Sequence, residues 1–197
     1  MSRPRCARCM RPEGHCLCSL IPALASRTSV LILQHPSEAG HALNTARLAA
    51  LGLLNAQLRI GEMFDDLPIN DGVDSYLLFP GEGALSLSEL RDRAEPIRLI
   101  VPDGTWRKAR KQLHLNPDLA ALPRVELPAG HVSRYRLRKA PSPGALSTLE
   151  AIVVALNELE GGARFDALLR PFEALIDGQI DAMGADVFQR NHGCLNG

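Results

Sequence analysis

Apolar and polar positions fall into short blocks along this chain, and the period changes from block to block. Val30-Leu31-Ile32-Leu33 is continuously apolar and closes at Gln34-His35-Pro36, as a strand buried on both faces would. Tyr76-Leu77-Leu78-Phe79, stopped by Pro80-Gly81, and Ile97 to Val101, stopped by Pro102-Asp103-Gly104, repeat that form. Leu58 to Ile60 and Val125 to Leu127 are weaker versions. Between them the period lengthens to three and four. Helices are predicted over Asn44 to Leu54, briefly after a cap at Ser86 or Ser88, and from Trp106 to Leu115, where Asn116-Pro117 ends the pattern. Another opens at Ser147-Thr148-Leu149-Glu150 and carries Ile152, Val153, Leu156 and Leu159 on one stripe. The last stripe, Phe165 to Met183, contains Pro171 and Gly178 and is expected in two pieces. Arg134 to Lys139 alternates around Tyr135 and Leu137 and reads as extended.

Strand, loop and helix in repetition predict an α/β fold, a mostly parallel sheet with helices on both faces. Such sheets take ligands at the carboxyl ends of their strands. The clusters beginning at His35, Pro80 and Asp103 all lie at those ends and are expected to converge. A chain of 197 residues has room for one substantial core, and the natural division is a small module over residues 1–26 followed by a body over 27–197. No run of eighteen apolar residues occurs and the amino terminus lacks the apolar core of a secretory signal, so a cytoplasmic protein without a membrane partner is expected. The surface pattern fits a monomer and a homodimer equally.

Net charge is zero, 22 basic against 22 acidic residues, but the signs are segregated. From Arg98 to Lys139 ten basic residues, among them Arg107, Lys108, Lys111, Arg134, Arg136, Arg138 and Lys139, face only Asp103, Asp118 and Glu126. From Glu158 to Asp186 seven acidic residues face Arg164 and Arg170. A local basic face for a polyanion is one reading, and an ordinary solvated surface is the other.

Four of the five cysteines, Cys6, Cys9, Cys16 and Cys18, form C-x2-C-x6-C-x-C. That clustering suits reduced thiolates on one metal better than a disulfide framework, and its spacing matches neither common iron–sulfur pattern, so structural zinc leads over another metal or free thiols. His15 is an alternative ligand, though a surface histidine is the simpler reading, and Cys194 stands apart. Asp103 places a carboxylate between a buried strand and a helix that Thr105 can cap, so it is either an acid–base group or a turn residue; Trp106, the single tryptophan, is a site residue or core packing. No G-x4-G-K-S/T run and no G-x-G-x-x-G after a strand occurs, which argues against nucleoside triphosphatases and ordinary dinucleotide folds.

Taken in order, these blocks resemble the DTW-domain family of tRNA-uridine aminocarboxypropyltransferases. The matching pieces are the four cysteines, His35-Pro36-Ser37-Glu38 with Asn44-Thr45, Leu78-Phe79-Pro80-Gly81 and Asp103-Gly104-Thr105-Trp106-Arg107-Lys108-Ala109. Tyr135-Arg136-Leu137-Arg138 and Leu146-Ser147-Thr148-Leu149-Glu150-Ala151 complete the series. The resemblance implies a SPOUT-like body with a carboxyl-terminal trefoil knot. It also implies S-adenosyl-L-methionine as donor and transfer of its 3-amino-3-carboxypropyl group to N3 of a uridine in the tRNA variable loop, position 47, with release of methylthioadenosine. Asp103, Thr105 and Trp106 are then expected at the reacting centre. Leu78, Phe79, Pro80 and Gly81 are expected to line the adenosine pocket, Ser147 and Thr148 to hold the donor's carboxylate at a helix start, and His35, Glu38 and Asn44 to orient it. The RNA face would comprise Arg107, Lys108, Lys111, Arg134, Arg136, Arg138 and Lys139. The rival readings are an RNA methyltransferase using the same donor and a zinc-containing RNA-binding module without catalysis.

Overall fold

The computed structural model describes residues 4–137, 145–184, 187–188 and 190. Its centre is a six-stranded sheet of β1 (Ser29–Gln34), β2 (Ala56–Ile60), β3 (Ser75–Leu78), β4 (Leu85–Ser86), β5 (Arg98–Asp103) and β6 (Arg124–Glu126), in the order β2-β1-β5-β3-β6-β4. Every neighbouring pair is parallel. The helices are α1 (Pro36–Ala39), α2 (Ala46–Gly52), α3 (Trp106–Leu115), α4 (Pro117–Ala120), α5 (Thr148–Glu160) and α6 (Leu169–Met183).

Alternation along β1 divides the core. Val30 and Ile32 face a cluster with Leu48 of α2, Ile152 and Leu156 of α5 and Phe172 of α6, whereas Leu31 and Leu33 face Ala109 and Leu113 of α3 and Leu119 of α4. Phe165, Phe172, Ile32, Leu33 and Leu99 are fully buried, each contributing roughly 1.5–3 kcal/mol from removal of its apolar surface from water. The amino-terminal segment is part of this core: Cys9, Leu17 and Ile21 are buried in the same cluster as α2, α5 and α6. Among the described residues no helix is long and apolar enough to cross a membrane.

Several boundaries differ from the sequence pattern for local reasons. β5 runs through Pro102 to Asp103; β3 pairs with it only as far as Ile100, so the missing N–H of Pro102 leaves no rung unmade on that side. The helix expected from Asn44 starts at Ala46 with Thr45 as its N-cap, while the Asn44 side chain lies ahead of it and accepts from the Arg47 N–H. Pro117 ends α3 and also opens α4 at its first position, where no N–H is required. The last helical stretch is in two pieces, but the division falls ahead of Pro171: a 3-10 turn over Arg164–Leu168 leads into α6, which contains both Pro171, in its first turn, and Gly178. Arg134 to Leu137 forms a loop with a turn instead of an extended segment, and Arg138 and Lys139 lie outside the described residues, as does Cys194.

Arg98 pins the long β2–β3 connection to the sheet. Its guanidinium donates to Asp71 Oδ1 at 3.0 Å and Oδ2 at 2.7 Å, and to Ser75 Oγ at 3.3 Å. This fork holds the Asp71 carboxyl below the usual carboxylate range. A carboxyl lowered in this way contributes stability that is full above the unfolded value of about 3.9 and is lost as pH falls through the lower folded value. Asp71→Asn is therefore expected to lower the urea midpoint modestly at pH 7, with the gap to the parent closing below about pH 4. Urea melts across pH 7 to 2 check this, and a constant gap would contradict it.

Candidate active site

β1 passes the chain to β2 through α1 and α2, whereas its neighbour β5 passes it the opposite way, to β6, through α3 and α4. The exits of these adjacent strands diverge, which opens a crevice at their carboxyl ends. Gln34 and Asp103 are the last residues of the two strands and are register partners. Gln34, fully buried, donates from Nε2 to Asp103 Oδ2 at 2.7 Å. From the other side the Thr148 hydroxyl, at the first position of α5, donates to Asp103 Oδ1 at 2.5 Å. The carboxylate is only 9% exposed, and both of its oxygens accept a neutral donor.

A cavity of about 1020 Å³ opens over this carboxylate. Its lining includes Asp103, Thr105, Trp106, Lys108, Glu38, Asn44, Leu78, Phe79, Pro80, Tyr135, Ser147 and Thr148. Pockets for drug-sized molecules run to about 300–1,000 Å³, so this one has room for a large donor and part of an acceptor together. Trp106 is not core packing: it is 39% exposed and stands edge-on to Phe79, centroids 5.4 Å apart. Thr105 is the N-cap of α3, its hydroxyl accepting from the Lys108 N–H at 3.4 Å. Gly81 is exposed and is not among the lining residues; Arg124, whose guanidinium also lies over the Phe79 ring, fills the space where a Cβ of residue 81 would project.

The residues following β1 form a supporting frame. Asn44 and Gln34 exchange side-chain bonds at 3.1 and 3.2 Å, and Asn44 Nδ2 also donates to the backbone oxygens of Glu38 and Ala39. His35 is outside the cavity lining. Its Nδ1 accepts from the Ser37 N–H, which leaves Nε2 as the donor to Glu62 Oε1 at 2.6 Å in the neutral ring. Glu62 also receives Lys111 Nζ at 2.6 Å, and that bond, followed by His35, holds its carboxyl below the ordinary range.

At the start of α5 the chain already carries an anion. Glu150, 4% exposed, accepts from the N–H groups of Ser147 (2.8 Å) and Arg134 (2.6 Å) and from Ser133 Oγ (3.0 Å), while Ser147 Oγ accepts from the Glu150 N–H. Gln34 and Glu150 are the two polar residues whose importance the sequence pattern did not reveal. Gln34 looked like the end of a strand and Glu150 like the third residue of a capping box. The basic residues are likewise engaged: Lys108 with Glu38 at 2.6 Å, Lys111 with Glu62, Arg134 with Glu173 at 2.6 Å, and Arg136 with Asp177. Arg107 is exposed on α3.

The four amino-terminal cysteines come together, all sulfurs within 4.8 Å of one another. Cys6 and Cys18 sulfurs are 3.6 Å apart and those of Cys9 and Cys16 3.8 Å. Zinc–sulfur bonds of about 2.3 Å in a tetrahedron set sulfurs about 3.8 Å apart, so the donor set fits such an ion. The backbone N–H groups of Cys9 and Arg8 bring the Cys6 thiol down to about 6, whereas burial and the crowding of the other sulfurs push Cys18 up to about 12. A cation is what would let all four become thiolates together. His15 is exposed and is not in this group. Arg11, between the second and third cysteines, interacts electrostatically with both Cys9 and Tyr135, a residue of the cavity lining.

A family profile described as the DTW domain matches residues 3–180. A protein of Macaca fascicularis named tRNA-uridine aminocarboxypropyltransferase 2 is 33% identical over 208 aligned positions, covering 99% of this chain and 70% of its own length. Its Drosophila melanogaster counterpart of the same name is 34% identical, with 91% and 76% covered. An Arabidopsis thaliana protein named tRNA-uridine aminocarboxypropyltransferase A is 29% identical, with 80% and 73% covered. No solved structure matches. With the profile spanning almost all of the chain, the four cysteines gathered in one cluster, and the DGTW turn and the Ser147-Thr148 helix start assembled around one cavity, the protein belongs to the DTW-domain family.

Proposed function

We propose that the protein transfers the 3-amino-3-carboxypropyl group of S-adenosylmethionine to N3 of a uridine in the tRNA variable loop, position 47, releasing methylthioadenosine. The observation that carries this reading is Asp103, pinned between Gln34 and Thr148 at the floor of a cavity with room for the donor and part of the acceptor. The names of the relatives supply the reaction class. Asp103 takes the N3 proton, the ring nitrogen forms a bond to the carbon γ to the donor's carboxylate, and the carbon–sulfur bond breaks with its electron pair retained by sulfur. The charge on sulfur is thereby neutralised, so the protein need supply only alignment and a proton acceptor. Trp106 and Phe79 offer aromatic faces to a base or to adenine.

The cysteine cluster is read as a structural Zn2+ site with no open position, bracing the loop that carries Tyr135. A carboxyl-terminal trefoil knot belongs to the same proposal. The return of the chain from β6 to place Thr148 beside Asp103 is compatible with it. For tRNA, Arg107, next in the chain to the lining residue Trp106, and Arg134 and Arg136, on either side of the lining residue Tyr135, are the favoured phosphate contacts. The pairs of Arg134 with Glu173 and Arg136 with Asp177 are exposed, hence weak and exchangeable for phosphate.

Four outcomes are expected. Asp103→Asn should lower turnover by roughly 10²–10⁴ while donor binding is retained. Incubating the parent with tRNA should yield methylthioadenosine, and S-adenosylhomocysteine in its place would identify a methyltransferase. Cys9→Ser should purify with markedly less zinc by elemental analysis and melt at lower temperature; unchanged metal content would remove the zinc assignment. Affinity for tRNA should fall as salt rises, with a shallower slope for Arg134→Ala/Arg136→Ala, and an unchanged slope would displace the RNA face.

A further inference from the structure

Lys108 Nζ donates to Glu38 Oε1 at 2.6 Å, and both side chains, about a quarter exposed, line the cavity. They come from α3 and α1, the helices that follow β5 and β1. The pair is held close to Asp103. A Cβ placed on Gly104 would lie 3.2 Å from Lys108 Cβ and 3.5 Å from His35 Cβ, so the lysine stem crosses directly over the residue after Asp103. Glu38 is tied into the same frame, because Asn44 donates to its backbone oxygen and bonds to Gln34, which in turn holds Asp103.

We infer that Glu38 and Lys108 form a clamp for the zwitterionic amino-acid end of the donor, Glu38 receiving the α-ammonium and Lys108 the α-carboxylate. This rests on the transfer reaction proposed above, and it moves Lys108 from the RNA face to the donor. Three observations favour it. First, a zwitterion inserted between two opposite charges compensates the desolvation of all four groups in alternation, which a single cation or anion would not. Second, the alternative anion site, the start of α5, already holds the Glu150 carboxylate on the Ser147 and Arg134 N–H groups, and a second carboxylate there would meet like charge. Third, the carbon that is transferred lies two bonds from the carbon bearing the ammonium and carboxylate. Groups that grip that end must therefore stand beside the proton acceptor, and Lys108, crossing Gly104, does so. Contacts made to the migrating fragment and not to the departing thioether also orient the chain carbon, instead of the methyl, toward the nucleophile.

Calorimetric titration of the full chain with S-adenosylhomocysteine, which carries the amino-acid end, and methylthioadenosine, which lacks it, tests the clamp. Glu38→Gln and Lys108→Met should each weaken S-adenosylhomocysteine roughly tenfold or more and leave methylthioadenosine within about twofold, with Lys108→Arg recovering part of the loss. Equal losses for both ligands would make the pair a mere tie between α1 and α3, and no loss for either would remove it from the site; each overturns the clamp while leaving the transfer reading standing. A parent chain that binds neither ligand would bring down both.

Discussion

A carboxylate that is 9% exposed at the end of a strand is sustained only by the donors brought to it, and Gln34 and Thr148 bring them. Much of the architecture follows from that requirement. β1 and β5 must pair in the register that sets Gln34 opposite Asp103, which fixes where the crevice opens. α5 must begin at the crevice, which forces the chain after β6 to return across the sheet. The capping box that starts α5 spends Glu150 on the loop over Ser133 and Arg134, so the bond network under Asp103 and the loop over the cavity share one helix terminus.

The strands were legible because two-sided burial writes continuous apolar runs, and β1, β3 and β5 appear where Val30, Tyr76 and Ile97 begin those runs. The cysteine cluster and the Asp103 turn were legible because their residue types are rare in that spacing. Gln34 was not, since its role is set by a partner 69 residues away and nothing local distinguishes it from any polar strand end. The charge pattern along the chain does not show which charges pair in space. Basic and acidic stretches that are separate in sequence meet in space, Arg134 on Glu173 and Arg136 on Asp177, so segregation along the chain does not become a bare basic face. Lys108 and Lys111, read as one helical sector, are claimed by different acids, Glu38 and Glu62.

The amino-terminal module is likewise less separate than its spacing implies. Cys9 and Leu17 are buried in the main cluster, and Arg11 approaches Tyr135, so the cysteines are joined to the core by packing as well as by the backbone.

Of the five neighbouring pairs in the sheet, only β1 and β2 are consecutive in the chain. Most rungs therefore wait for a distant segment, an arrangement associated with slow folding because loop closure precedes the contacts that reward it. During synthesis, Asp103 leaves the ribosome well before Thr148, 45 residues later, can reach it. A nascent chain thus carries the Asp103 carboxylate for some time with one donor missing, and its pair of hydrogen bonds is complete only once the start of α5 has emerged.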